Sequence, residues 1–127
     1  MLRTTALTLT VVAFACAGPV IAQIVTRTPL QTVVVPAYNT IMDIVDIASG
    51  GAPGPHTHPG IETGYVLEGE LNLSIAGQPD LHLKAGDSYS IPANTVHNPT
   101  AEGVNTLKLL AVFVVDPNQP FSTSAFR

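Results

Sequence analysis

Hydrophobic and polar residues alternate at every second position in several short runs of this chain. The clearest is Glu70 to Ile75, where Leu71, Leu73 and Ile75 share one parity and Glu70, Asn72 and Ser74 the other. Successive side chains of a β-strand leave opposite faces, so this pattern describes a strand with one dry side and one wet side. Comparable runs, rich in β-branched residues, predict strands over Gln31 to Val35, Thr40 to Ala48, His56 to His58, Glu62 to Glu68, Asp80 to Lys84, Ser88 to Ile91 and Leu107 to Val115. Proline and glycine punctuate them, with Glu68-Gly69 and Ala76-Gly77-Gln78-Pro79 as turns. The pattern predicts an all-β fold with little or no helix, in one domain without internal repeats.

The same alternation indicates what faces what. Leu107 to Val115 is apolar on both parities except for Lys108, which predicts cover on both faces, by a barrel interior on one and by another sheet or a partner chain on the other. His82 lies between Leu81 and Leu83 and is expected to face solvent. Residues 23–30 and 117–127 read as arms, with Phe121 and Phe126 free to pack across a homodimer.

Of the 127 residues, 46% are hydrophobic and 11% charged. Some of that hydrophobicity belongs to the N-terminus, where Met1-Leu2-Arg3 precedes an apolar run, Ala6 to Ala17, too short to span a bilayer. Val20-Ile21-Ala22 then offers small residues before a cleavage point. Residues 1–22 are therefore read as a signal peptide, leaving a mature domain of residues 23–127, periplasmic or secreted and free of the membrane. Cleavage there also removes Cys16, the one cysteine, and Ala13-Phe14-Ala15 before it is a poor lipobox. The mature chain keeps four basic and nine acidic residues, a net charge of −5, which argues against nucleic-acid or anionic-membrane partners.

Candidate chemistry lies in two segments. The first reads Gly50-x5-His56-x-His58-x3-Glu62-x6-Gly69. On a strand, His56 and His58 leave from one face and can converge on one ion, and Glu62 shares their parity if Pro59-Gly60 makes only a local bend. A helix would separate the two imidazoles, and Pro53, Pro55 and Pro59 disfavour one. The second segment, Gly86-x5-Pro92-x-Asn94-x2-His97, reads as turn, short strand and turn, placing His97 to supply a third nitrogen.

These two motifs resemble those of the cupin superfamily, in particular its small single-domain bacterial members, over about residues 41–115. The first matches at every defining position. The second has Asn94 where the family usually has glycine and Ala101 where it usually has asparagine. Asparagine tolerates a left-handed backbone, so the turn at Asn94 is expected to survive. The resemblance implies a double-stranded β-helix, a jelly-roll barrel, holding one divalent transition metal (Fe, Mn, Ni, Cu or Zn) on His56, His58, Glu62 and His97.

Three imidazoles and one carboxylate leave coordination positions open, as a catalytic site requires. Arg27, Lys84, Lys108 and Arg127 are the cations left after cleavage, and none falls beside the motifs or at an evident inward position. A small-molecule substrate would then rest on the metal and on apolar walls, for which Met42, Ile44, Val66, Leu71, Leu73, Val96, Leu109, Ala111 and Phe113 are candidates. That favours a chelating enediol or phenol, and a quercetinase-like dioxygenase in which Glu62 also accepts a proton. Non-catalytic metal or ligand binding, and a metal-dependent lyase or isomerase, are the alternatives. A further acid or base near the open position would favour an enzyme, but Tyr65 has the opposite parity to Glu62 and is expected outside.

Overall fold

A computed structural model describes residues 24–34 and 37–126. The expected signal peptide, residues 1–22 with Cys16, falls outside the described residues. Ten strands follow in order: β1 (Val25–Val34), β2 (Asn39–Ile47), β3 (His56–Thr57), β4 (Gly60–Glu68), β5 (Glu70–Ile75), β6 (Leu81–Lys84), β7 (Ser88–Ile91), β8 (His97–Glu102), β9 (Leu107–Val115) and β10 (Thr123–Ser124). They form two five-stranded sheets, ordered β1-β2-β9-β4-β7 and β10-β3-β8-β5-β6. Every pairing is antiparallel. The sheets face each other across one core, as in the double-stranded β-helix that the motifs imply.

Parity decides which side chains enter that core. In β5, Leu71, Leu73 and Ile75 are buried, as their alternation predicts. In β4 the inward set is Glu62, Gly64 and Val66, whereas Ile61, Thr63, Tyr65 and Leu67 are exposed. β9 buries Leu107, Leu109, Ala111, Phe113 and Val115, but no second sheet covers its other face, where Leu110, Val112 and Val114 remain half-buried among the described residues. His82 is exposed, beside Glu102.

Three segments depart from the sequence reading. Residues 23–30, expected as an arm, belong largely to β1, which pairs along the whole of β2 with a bulge between Pro29 and Gln31. The run Val25–Pro29 alternates poorly, so hydrophobicity alone does not disclose a strand held by edge pairing. Residues 97–102 form β8, although Asn98 and Pro99 suggest a turn. Pro99 is tolerated because β8 meets β3 only at His97, and the missing N–H therefore leaves no ladder bond unmade on that side. Of the segment 117–127, the described residues 117–126 are not a free arm. β10 pairs with β3, and Phe121 folds against Phe113, with ring centroids 4.9 Å apart, instead of waiting for a partner chain.

Candidate metal centre

His56 and His58 sit on and just after β3, Glu62 on β4, and His97 at the start of β8, directly across from His56 in the ladder. Pro59-Gly60 bends the chain only locally, so Glu62 returns to the face that carries both histidines. Gly60 permits this because its backbone lies against the Val114–Val115 peptide, where a Cβ would come 2.0 Å from the Val114 carbonyl oxygen. Asn94 takes the left-handed turn expected of it, with φ of 58°. Its N–H donates to the His58 carbonyl and so ties the second motif to the first. At Ala101 the backbone supplies its own link, with hydrogen bonds in both directions to Gly50 and Gly51.

The three imidazoles are held alike. The Nδ1 of His56, His58 and His97 lies 2.7, 2.6 and 2.9 Å from the carbonyl oxygens of Gly54, Phe121 and Thr95. A carbonyl only accepts, so each Nδ1 carries the proton and each Nε2 turns a lone pair into the site. Ligand atoms of the three histidines fall within 4.8 Å of one another. Glu62 Oε2 stands 3.5 Å from His58 Nε2 and 3.3 Å from His97 Nε2. These atoms are all acceptors and cannot hydrogen-bond to one another. His97 Nε2 is buried without a hydrogen-bond partner. Lone pairs that converge in this way fit a single cation between them, and nitrogen with carboxylate oxygen suits a divalent transition metal.

Ionisation follows from burial. Burial lowers the pKa of His56 and His58, with the neighbouring imidazoles adding to the effect and the carbonyl bonds and Glu62 opposing it, so both favour the neutral form that a ligand needs. For Glu62, burial acts upward but is outweighed by His97 and His58, which attract the carboxylate in the metal-free chain whenever an imidazole takes up a second proton, and by the Tyr89 hydroxyl, and its carboxyl ends below the ordinary range. Groups whose pKa falls on folding stabilise the native state fully above their ordinary values and lose that contribution as pH drops through the lowered ones. The metal-free chain is therefore expected to melt progressively earlier as pH falls below about 6.5, the ordinary imidazole value, and more steeply below about 4.5, the ordinary value for Glu62, until its lowered pKa is reached. A melting temperature flat from pH 7 to pH 4 would contradict this.

Tyr89 is one of the site residues that sequence reasoning missed. Its hydroxyl donates to Glu62 Oε1 at 2.9 Å, and its ring occupies the space over Gly64, its cross-strand partner, where a Cβ would come 2.2 Å from the ring. Burial, reinforced by the Glu62 charge, raises its pKa well above the usual tyrosine value and keeps the proton on oxygen. The alternation Ser88, Tyr89, Ser90, Ile91 already marks Tyr89 as inward. Tyr65 lies outside, 44% exposed.

A cavity of about 240 Å³ opens beside the histidines. Only Leu109 and Phe113 of the expected walls line it. Met42 and Ile44 have the outward parity of β2, Val66, Leu71, Leu73 and Ala111 are sealed in the core, and Val96 is 37% exposed. Val45, Ile47 and Phe121 take their place. Arg27, expected away from the site, also lines the cavity, because β1 is a strand and carries it inward opposite Val45. Its guanidinium pairs with buried Asp43 and lies 4.2 and 5.1 Å from the ring centroids of Phe121 and Phe113. Those two rings pack on His58 in turn.

Comparison with known proteins agrees with this geometry. Germin-like protein 3-5 of Oryza sativa subsp. japonica is 38% identical in a 73-residue alignment that covers 49% of this chain and 32% of that protein. Oxalate oxidase 2 of Hordeum vulgare is 37% identical in a 73-residue alignment that covers 49% of this chain and 33% of its own length. The chain thus spans about a third of the length of these relatives. A conserved double-stranded β-helix protein from Klebsiella pneumoniae superposes with a TM-score of 0.65 at 21% identity, over 87% of this chain and 90% of that one, a likeness of fold alone. The profile of the Cupin domain family matches residues 43–113. That match takes in both histidine motifs and more than half of the sequence, and the chain belongs to the cupin family.

Proposed function

We propose that this chain is an exported, metal-dependent oxygenase acting on a small molecule that chelates the ion through two oxygens, an enediol or a single-ring phenol. The observation that carries the reading is the set of three Nε2 lone pairs, each fixed by a carbonyl on Nδ1, converging with Glu62 at the edge of a cavity. The cavity, about 240 Å³, lies below the usual range of roughly 300–1,000 Å³ for ligand pockets, which favours a one-ring substrate over a flavonol. A bound transition metal would supply the Lewis acidity and redox capacity that dioxygen chemistry requires. The protein's own part is acid–base work: Glu62 holds or takes a substrate proton, and Tyr89 steadies its carboxylate through a hydrogen bond. A buried acid–base pair beside the open position favours an enzyme over a passive binding module.

Elemental analysis of the purified chain, followed by oxygen uptake with enediols and catechols, tests this. About one redox-active metal per chain and substrate-dependent uptake are expected. Zinc alone, with no uptake on any of these compounds after iron or manganese loading, would remove the oxygenase reading.

A homodimer is part of the same proposal. On the outer face of the β1-β2-β9-β4-β7 sheet, Met42 pairs with Val112, Ile44 with Leu110 and Ile61 with Val114, which sets apolar pairs across three strands. A second copy would cover the half of β9 that its own chain leaves open. Light scattering that gives the mass of one chain in solution would remove the pairing.

A further inference from the structure

Arg27 is the only lysine or arginine among the described residues that line the cavity, and its surroundings hold it as a fixed donor. Asp43, 2% exposed, takes one of its N–H groups, and the guanidinium carbon lies over the rings of Phe121 and Phe113, 4.2 and 5.1 Å from their centroids. Asp43 is the guanidinium's one hydrogen-bond partner among the described residues, and the side chain remains 35% exposed. The walls nearby are apolar, with Val25 and Val45 the closest along the strands. A cation resting against aromatic rings, held by a buried carboxylate and lining a cavity with unused forked donors, is a receptor for a planar anion.

Charge points the same way. With a divalent ion bound, the carboxylates of Asp43 and Glu62 and the guanidinium of Arg27 leave one positive charge uncompensated, which a monoanion would neutralise. We infer that Arg27 is a specificity-determining residue: it receives a carboxylate at the far end of a substrate whose other end chelates the metal. This deepens the proposed function and rests on it for the chelating end alone. The same phenylalanine rings lie against both Arg27 and His58. Both ends of the site thus lie against one pair of rings beside a small cavity, which suits a short acid such as a dihydroxybenzoate.

The test is calorimetric titration of the zinc-loaded chain, which cannot turn over, with 3,4-dihydroxybenzoate and with 3,4-dihydroxybenzamide, two probes that differ only in the anion. The benzoate is expected to bind about tenfold or more tightly. In Arg27→Gln/Asp43→Asn, which removes both charges and keeps a polar pair, the two probes are expected to bind within about twofold of each other while metal content and melting stay near those of the parent. Arg27→Lys, which keeps the charge and loses the fork, is expected to keep part of the preference. Equal binding of the two probes by the parent, binding of neither, or a preference that survives the double substitution would overturn the assignment. A chain that takes up no metal removes the reading under Proposed function instead, and the same titrations on it still decide whether Arg27 selects the anion.

Discussion

His58→Ala is expected to abolish stoichiometric metal binding, taking metal content from about one ion per chain to less than a tenth of that. His58 supplies one of three converging Nε2 atoms, and its ring is fixed on both sides, by the Phe121 carbonyl at 2.6 Å and by the rings of Phe113 and Phe121 at 5.0 and 4.6 Å. Loss of a partner that merely orients a ligand commonly weakens metal affinity by roughly 10–100-fold, so loss of the ligand itself exceeds that. Of the rings packed on it, those of His56 and His97 already belong to the cluster, and those of Phe113 and Phe121 carry no donor that could replace it. A ligand that binds only the native state at a hundred times its dissociation constant adds about 2.7 kcal/mol of stability, so the parent's melting temperature is expected to fall on addition of a chelator while that of the variant is unchanged. Full metal content in a folded His58→Ala chain would refute the ligand assignment.

Gly60→Ala is expected to cost about 3 kcal/mol, at the upper end of what overpacking usually does. Opposite Gly60 stands Val115, and the new Cβ would lie 2.0 Å from the Val114 carbonyl oxygen and 2.6 Å from Val115 Cα. These are backbone atoms of a strand paired on both sides, so relief requires β4 to part from β9. Glu62 is only two residues further along β4, and metal content is expected to fall with stability. Gly77→Ala is the contrast: at φ of +79° but with nothing within 4 Å of the added carbon, it costs only the strain of a left-handed alanine, about 1 kcal/mol. Urea unfolding separates the two, and a Gly60→Ala midpoint no lower than that of Gly77→Ala would show that the close approach is absent.

The ligand cluster was legible because it depends on local rules. His56, His58 and Glu62 are close in sequence, and parity along extended backbone is enough to bring them to one face. Gly69 and Asn94 mark turns that only residues tolerant of positive φ make cheaply, and both adopt it. The inward position of Tyr89 was legible too, from alternation with Ile91, but its role was not. That role appears only when β7 pairs with β4 and sets the hydroxyl against Glu62.

Arg27 and Phe121 lay beyond sequence reasoning for a related reason. Both sit in terminal segments of weak pattern, where strand pairing rather than amphipathic burial sets the conformation, and pairing partners are chosen across the whole chain. The wall residues failed on the same point. Hydrophobicity marks what is buried, whereas the lining of a cavity depends on where the two sheets part.

From its residues alone this chain determines an all-β domain, the faces of its central strands and a cluster of three histidines able to hold one metal ion, because period and spacing act over a few residues. Tertiary structure alone decided that a guanidinium braced by Asp43 shares the cavity, that Tyr89 supports the carboxylate and that the C-terminal segment holds His58. Each of these contacts joins residues at least sixteen positions apart, and in such contacts backbone pairing between distant strands, not local preference, sets the geometry.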